Sequence, residues 1–94
     1  MQDEDFEWDD DKAAANLARH GVSFDAARLA LSDIFAVARE DPRQGYGEDR
    51  FILLGMANNL LLHVAYTMRH ERVRIISARL AEPRERRRYH EQDS

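Results

Sequence analysis

Hydrophobic positions along this chain change rhythm at about residue 33. Before it, apolar residues recur at helical spacing. "KAAANLARHG" follows three aspartates, Asp9 to Asp11, and stops on Gly21. Aspartate caps a helix start and suits its positive end, and glycine suits the left-handed stop. The pattern predicts a helix over 11–20. Ser23 caps a second one, "FDAARLAL", whose Phe24, Ala27 and Leu31 share a face. After residue 33 the apolar runs are short and bounded by turn formers, which is the mark of strands. They are "IFAVAR" (34–39), "RFILLGM" (50–56), "LLLHVAYTM" (60–68) and "VRIISAR" (73–79). "EDPRQGYGED" between the first two is a loop. Pro83 opens a last helix carrying "RERRRYHEQ". The order predicts one α+β domain spanning 1–94: two N-terminal helices, a four-stranded antiparallel sheet and a C-terminal helix.

The turns set the register. With Asn58-Asn59 central, Ala57 opposes Leu60 and Arg50 opposes Thr67. With His70-Glu71 central, Arg69 opposes Arg72 and Arg74 opposes Thr67. One face then holds Phe51, Leu53, Gly55, Leu62, Val64, Tyr66, Val73, Ile75 and Ser77, nearly all apolar, and the helices belong over it. The other holds Arg50, Ile52, Leu54, Leu61, His63, Ala65, Thr67, Arg74, Ile76 and Ala78. There Arg50, Thr67 and Arg74 form one row, with His63 four residues along, roughly 13 Å away. Two arginines on one row call for an anion or a carboxylate between them, which a bound phosphate or Glu48 would supply. A bulge at Asn58 or Gly55 would break the row.

Charge changes this picture from a sheet to a candidate surface. The chain of 94 residues carries a net charge of −4. Residues 1–47 have five basic side chains against eleven acidic ones, while Arg69 to Arg88 holds eight arginines against three acids. Thirteen of the fourteen basic residues are arginine, whose planar fork suits carboxylate and phosphate. Cysteine is absent, so thiolate metal sites and disulfides are excluded. No apolar run spans a bilayer and the acidic start is unlike a signal peptide, so a cytoplasmic location without a membrane partner is expected. The four histidines lack i,i+4 pairing and the acidic cluster lacks calcium-loop spacing, so no metal and no cofactor are expected.

Metal-free RNA cleavage needs a base, an acid and cations for the charged phosphorane. Glu48, His63, Tyr66 and Tyr89 are candidates for proton transfer. Arg43, Arg50, Arg74 and Arg79 are candidates for charge. Trp8 and Tyr46 are candidates for stacking exposed bases. A non-catalytic RNA- or protein-binding module would share the arginines without needing Glu48, His63 or Tyr89.

Three blocks, "FEWDDDKAAANLARHGVSFDAA", "GYGEDRFILLG" and "VRIISARLAEPRERRRY", resemble the BrnT family of type II toxins over about residues 6–89. The resemblance implies a ribonuclease toxin with a fold similar to the RelE superfamily. It would inhibit translation and growth by cleaving RNA. Its neutraliser would be a neighbour-encoded antitoxin of ribbon-helix-helix type, through which alone operator DNA is bound. Carried onto this sequence, the family pattern points to Arg50, Arg74 and Arg79 at the phosphate. Glu48 and, by its region, Tyr89 become proton-transfer candidates beside His63, which stands where the family more often has an apolar strand residue; Trp8, Lys12 and Arg84 match family positions and join Arg43 and Tyr46 as the RNA contacts. It also implies that the arginines of residues 74–88 meet RNA in the free toxin and an acidic antitoxin segment in the neutralised one. The acidic N-terminus is expected to hold some of them within the chain itself. A member that keeps the fold and the antitoxin but has lost its chemistry is the remaining alternative.

Overall fold

The computed structural model describes residues 1–42 and 49–92. In chain order the elements are β1 (Phe6–Glu7), α1 (Asp10–His20), α2 (Phe24–Leu31), β2 (Val37–Glu40), β3 (Arg50–Ala57), β4 (Leu60–Arg69), β5 (Arg72–Leu80) and α3 (Pro83–Glu91). Both N-terminal helices start as predicted. The Asp9 carboxylate accepts from the Asp11 and Lys12 amides, and Ser23 Oγ from the Ala26 amide at 3.0 Å. Gly21 ends α1 with φ 70°, its amide donating to the Leu17 carbonyl.

The sheet differs from expectation. It has five strands in the order β1-β5-β4-β3-β2, and β1 runs parallel to β5, so the sheet is mixed. Two residues carry no alternation, and β1 is instead placed by polar groups. Asp3 accepts from the Asp5 and Phe6 amides, the Val73 amide donates to the Asp5 carbonyl, and Arg72 Nε to that of Asp3. The first predicted strand also begins later, at Val37. Asp33 binds the Phe35 amide with its side chain and the Ala36 amide with its carbonyl, holding Ile34 and Phe35 in an exposed turn.

The register between β3 and β4 is the expected one throughout, with Arg50 opposite Thr67 and Ala57 opposite Leu60. Between β4 and β5 it holds from Arg69/Arg72 to Tyr66/Ile75 and then shifts by one. Ile76 is the extra residue of a β-bulge, not Asn58 or Gly55. Beyond it Ala65 faces Ser77, Val64 faces Ala78 and His63 faces Arg79. A one-residue shift moves every later side chain to the other face. Ala78 therefore enters the core under α1 and α2, while Ser77 and Arg79 emerge on the opposite face; the expected places of Ser77 and Ala78 are exchanged.

Asn16 of α1 holds β5 two residues beyond the bulge. Its amide nitrogen donates to the carbonyls of Val22 (2.9 Å) and Ala78 (2.8 Å), and its oxygen accepts from the Ala78 amide at 3.1 Å. Around it the larger core joins Trp8, Val22, Phe24, Ala27, Ala30, Leu53, Ala57, Leu62, Val64, Ile75 and Ala78, with Trp8 edge-on to Phe24 at 5.7 Å. Gly55 lets α2 lie directly on β3, since a Cβ there would meet the Ala30 carbonyl oxygen at 2.3 Å. The other face is not left open. α3 covers one end of it with a smaller core of Leu54, Leu61, Ala81 and Tyr89. Among the described residues no helix is long and apolar enough to cross a membrane.

Asn16→Ala leaves the Ala78 amide and two carbonyls buried without partners. It should lower unfolding free energy by about 3 kcal/mol, at 1 kcal/mol or more for each lost bond. Urea unfolding measures this; a loss within about 0.5 kcal/mol, the range of ordinary surface changes, would reject the clamp.

Candidate nucleic-acid interface

The face opposite α1 and α2 is ruled into rows by strand pairing. One row reads Arg50, Thr67, Arg74, Glu7 across β3, β4, β5 and β1. Arg50 and Arg74 thus share a face and a row, as their positions predicted. The carboxylate that tempers them comes from outside the pair. Glu7 Oε2 lies 2.8 Å from Arg74 Nη1, and Glu7 is only 8% exposed. Such a charge-assisted bond is short and strong. Glu48, the expected source, lies outside the described residues, as do Arg43 and Tyr46. Arg50 has no carboxylate within ion-pair distance among the described residues, and its Nε is buried without a hydrogen-bond partner. The acidic N-terminus does hold arginines within the chain, as expected: Arg74 through Glu7, Arg28 through Asp3 at 3.1 Å, and Arg72 through the Asp3 carbonyl.

A second row reads Val37, Leu54, His63, Arg79. The bulge brings Arg79 beside His63. Glu85, one turn into α3, grips Arg79 with both oxygens, at 2.9 and 3.1 Å. The same carboxylate accepts from the Glu82 amide at 2.8 Å, closing the capping box that starts α3. His63 Nε2 stands 3.7 Å from Glu85 Oε2, too far for a hydrogen bond, and His63 Nδ1 is enclosed without a partner. Burial first, then the Arg79 cation, push the His63 imidazole below its ordinary value, and Glu85 opposes them in part. For Glu85 burial works against the charged form. The hydrogen bonds from Arg79 and the Glu82 amide outweigh it and hold the carboxyl below the usual range. His63 is therefore neutral near pH 7 beside an ionised Glu85.

Between the two rows lies a third, Arg39, Ile52, Ala65, Ser77. Its small side chains on β4 and β5 make a shallow floor about 13 Å across from Thr67 to His63. At its β2 end Val37, Arg39, Ile52, Leu54, Glu85 and Arg88 line a cavity of about 30 Å³, the size of one water.

The remaining candidates fall elsewhere. Trp8 is buried against Phe24 and presents no ring face to a base. Lys12 is exposed on α1, across the sheet from the arginine rows, and Arg84 is exposed in the first turn of α3. Tyr89 is 5% exposed in the smaller core, and its hydroxyl donates to Asp33. It anchors α3 to the turn before β2 rather than facing solvent. Tyr66 is half-buried and stacked on Phe51, on the face that carries α1 and α2. Four side chains of the site were given no role in it from the sequence: Glu7, Arg39, Glu85 and Arg88. Glu85 had a signal, since a carboxylate three residues after Glu82 and two after Pro83 is a capping-box spacing. Among the described residues no group of three or more His, Asp or Glu side chains is placed to hold a metal ion.

The ordering of charges around His63 sets the sign of its titration. The imidazole should titrate below 6.5 by NMR. Arg79→Met should raise that midpoint by removing the nearest cation, and Glu85→Gln should lower it further by removing the opposing carboxylate. Movement in the reverse directions would show that the three groups do not interact as placed.

A search among curated proteins returned no match. A family model described as "Ribonuclease toxin, BrnT, of type II toxin-antitoxin system" matches residues 8–85, which takes in the arginines of both rows, the bulge and the capping box of α3. With most of its length matched, this chain belongs to the BrnT family of ribonuclease toxins of type II toxin-antitoxin systems.

Proposed function

We propose that the chain cleaves RNA without a metal ion, at the face opposite α1 and α2, and thereby inhibits translation and growth. The observation that carries this reading is the row in which Arg50 and Arg74 flank Thr67 on that face, with Arg50 lacking a carboxylate partner among the described residues. In the proposed step a base takes the 2′-hydroxyl proton and the 2′-oxygen bonds to phosphorus. The bond to the 5′-oxygen breaks as an acid protonates it, leaving a 2′,3′-cyclic phosphate and a 5′-hydroxyl. Guanidinium groups stabilise the extra charge of the phosphorane. Arg50 and Arg74 take that role, with Arg79 behind them. His63, neutral at pH 7 beside Glu85, and Glu48 are the proton-transfer candidates. Tyr89 supports α3 instead. RNA contacts from Arg43, Tyr46 and Arg84 extend the site, while Lys12 and Trp8 stand apart from it. The neutralising partner would be a ribbon-helix-helix antitoxin that carries the complex to operator DNA and presents an acidic segment to the same arginines.

A second reading, a member that binds RNA or its antitoxin without turnover, is favoured by one observation. His63 and Tyr89 are both buried in packing, leaving little proton-transfer chemistry at the surface among the described residues. Incubation of the purified chain with total RNA, with and without EDTA, separates the two. Cleavage that survives EDTA supports the proposed reaction; binding without cleavage supports the second reading.

Arg50→Ala and Arg74→Ala should each abolish growth inhibition on expression while far-ultraviolet circular dichroism stays that of the parent. A 10²-fold loss or more in cleavage rate is expected where one electrostatic donor to the transition state is removed. Full toxicity from both folded variants would reject their role.

A further inference from the structure

Two of the arginines that the family pattern places at the phosphate are already engaged. Arg79 has both ends of its fork on Glu85, and Arg74 gives Nη1 to Glu7. Arg39, Arg50 and Arg88 are cations on this face without a carboxylate within ion-pair distance among the described residues, whereas Arg72, likewise without one, is held at the β1 edge by the Asp3 carbonyl. Arg39 makes only a long bond, 3.3 Å, to the carbonyl of the next residue. These three do not lie across the sheet. Arg39 on β2 faces Ile52, two residues from Arg50 on β3, so their backbones stand roughly 8 Å apart on the diagonal. Arg88 of α3 reaches the same cavity wall as Arg39. Together they run along the β2–β3 side, from α3 to the start of β3.

Helix geometry sets Arg88 apart from its neighbours. Glu85, Arg88 and Tyr89 share the α3 stripe turned to the sheet, at i, i+3 and i+4, and Tyr89 is buried there. All three are exposed, but Arg86 and Arg87 fall on the outer side while Arg88 lines the cavity beside Glu85. The run of three arginines is thus split: two face away from the sheet and one borders the site.

We infer that Arg39 and Arg88, with Arg50, form a track that holds the phosphodiester backbone of single-stranded RNA along the β2–β3 edge, leading it to the row of Arg50 and Arg74. This rests on the proposed RNA reading and extends it to a binding subsite along the β2–β3 edge that the row of Arg50 and Arg74 does not assign. A chain with net charge −4 repels a polyanion except where cations are grouped and unpaired, which favours this line of the surface.

The test uses salt dependence of binding, which counts phosphate contacts. A single-stranded RNA with 2′-O-methyl riboses cannot be cleaved through its 2′-oxygen and serves as the probe. Its affinity is measured by fluorescence anisotropy at a series of KCl concentrations. The slope of log affinity against log salt falls by about 0.7 for each single-strand phosphate contact removed. Arg39→Gln/Arg88→Gln should therefore flatten the slope by about 1.4, and Arg50→Gln by about 0.7. Arg86→Gln/Arg87→Gln, with the same change of charge on the same helix, should leave the slope unchanged. All four side chains other than Arg50 are on surface positions, and thermal unfolding confirms that each variant is folded. If the Arg39/Arg88 variant keeps the parent slope while Arg50→Gln flattens it, the track is wrong and the RNA reading stands. If the control pair flattens the slope as much, the attraction is diffuse and the track is also wrong. If the parent binds the probe with no salt dependence, both the track and the RNA reading fall.

Discussion

The geometry of this face depends on one buried amide. Asn16 gives two hydrogen bonds and accepts one, and two of the three go to Ala78, two residues past the extra residue of β5. Buried backbone groups need partners, and here a helix side chain supplies them and holds β5 in its shifted register. The consequence reaches the opposite side of the sheet. Without the shift, Ser77 would face Val64 on the side of α1 and α2, and Arg79 would face Leu62 on that same side. With it, Ala78 faces Val64 in the larger core and Arg79 stands next to His63 under α3. The His63–Glu85–Arg79 group exists because of that shift.

An acidic protein that gathers its arginines in its last third has to keep them from repelling one another. The fold does this from its two ends. The sheet edge contributes Glu7 from β1, and the cap of α3 contributes Glu85. Both carboxylates are well shielded from solvent, so these are not the weak pairs of an open surface. Removing either would leave an arginine uncompensated in a partly buried site, which costs more than the pair contributes. The two pairs also divide the arginines by role. Arg79 fixes the start of α3 to the sheet, and Arg74 fixes β1 to β5. What is left open for an external anion is set by which arginines these carboxylates do not reach.

Much of this was written in the sequence where local chemistry is strong. Asp9, Ser23, Gly21 and Pro83 marked helix ends correctly, because caps act within a few residues. The turns at Asn58-Asn59 and His70-Glu71 set both hairpin registers; Asn58, His70 and Glu71 all have positive φ. The common row of Arg50, Thr67 and Arg74 followed from them. What was not legible depends on partners distant in sequence. β1 is two residues long and exists only because Asp3 and β5 hold it. The strand beyond the bulge at Ile76 is held by Asn16 at Ala78, 62 residues away, and nothing in "VRIISAR" announces it. Trp8 read as a stacking platform, yet the strand that was missed folds it onto Phe24. Asn16 and Glu85 both lie within the blocks that carry the family resemblance, but only packing reveals that one holds a backbone and the other a guanidinium.

The two ion pairs differ in what they leave available. A guanidinium has five N–H donors in a fixed plane. Glu7 occupies one end of Arg74, so a phosphate oxygen can share that residue without parting the pair, and β1 remains in place. Glu85 takes both forks of Arg79, and a phosphate there must compete with a bidentate carboxylate that also caps α3. Engaging Arg79 would thus loosen the helix start and expose His63, whose Nε2 already faces that carboxylate. RNA held at Arg50 and Arg74 needs no such change. On the proposed reading, the row of Arg50 and Arg74 takes a phosphate as it stands, whereas the row of His63 and Arg79 joins the chemistry only if α3 yields at its first turn.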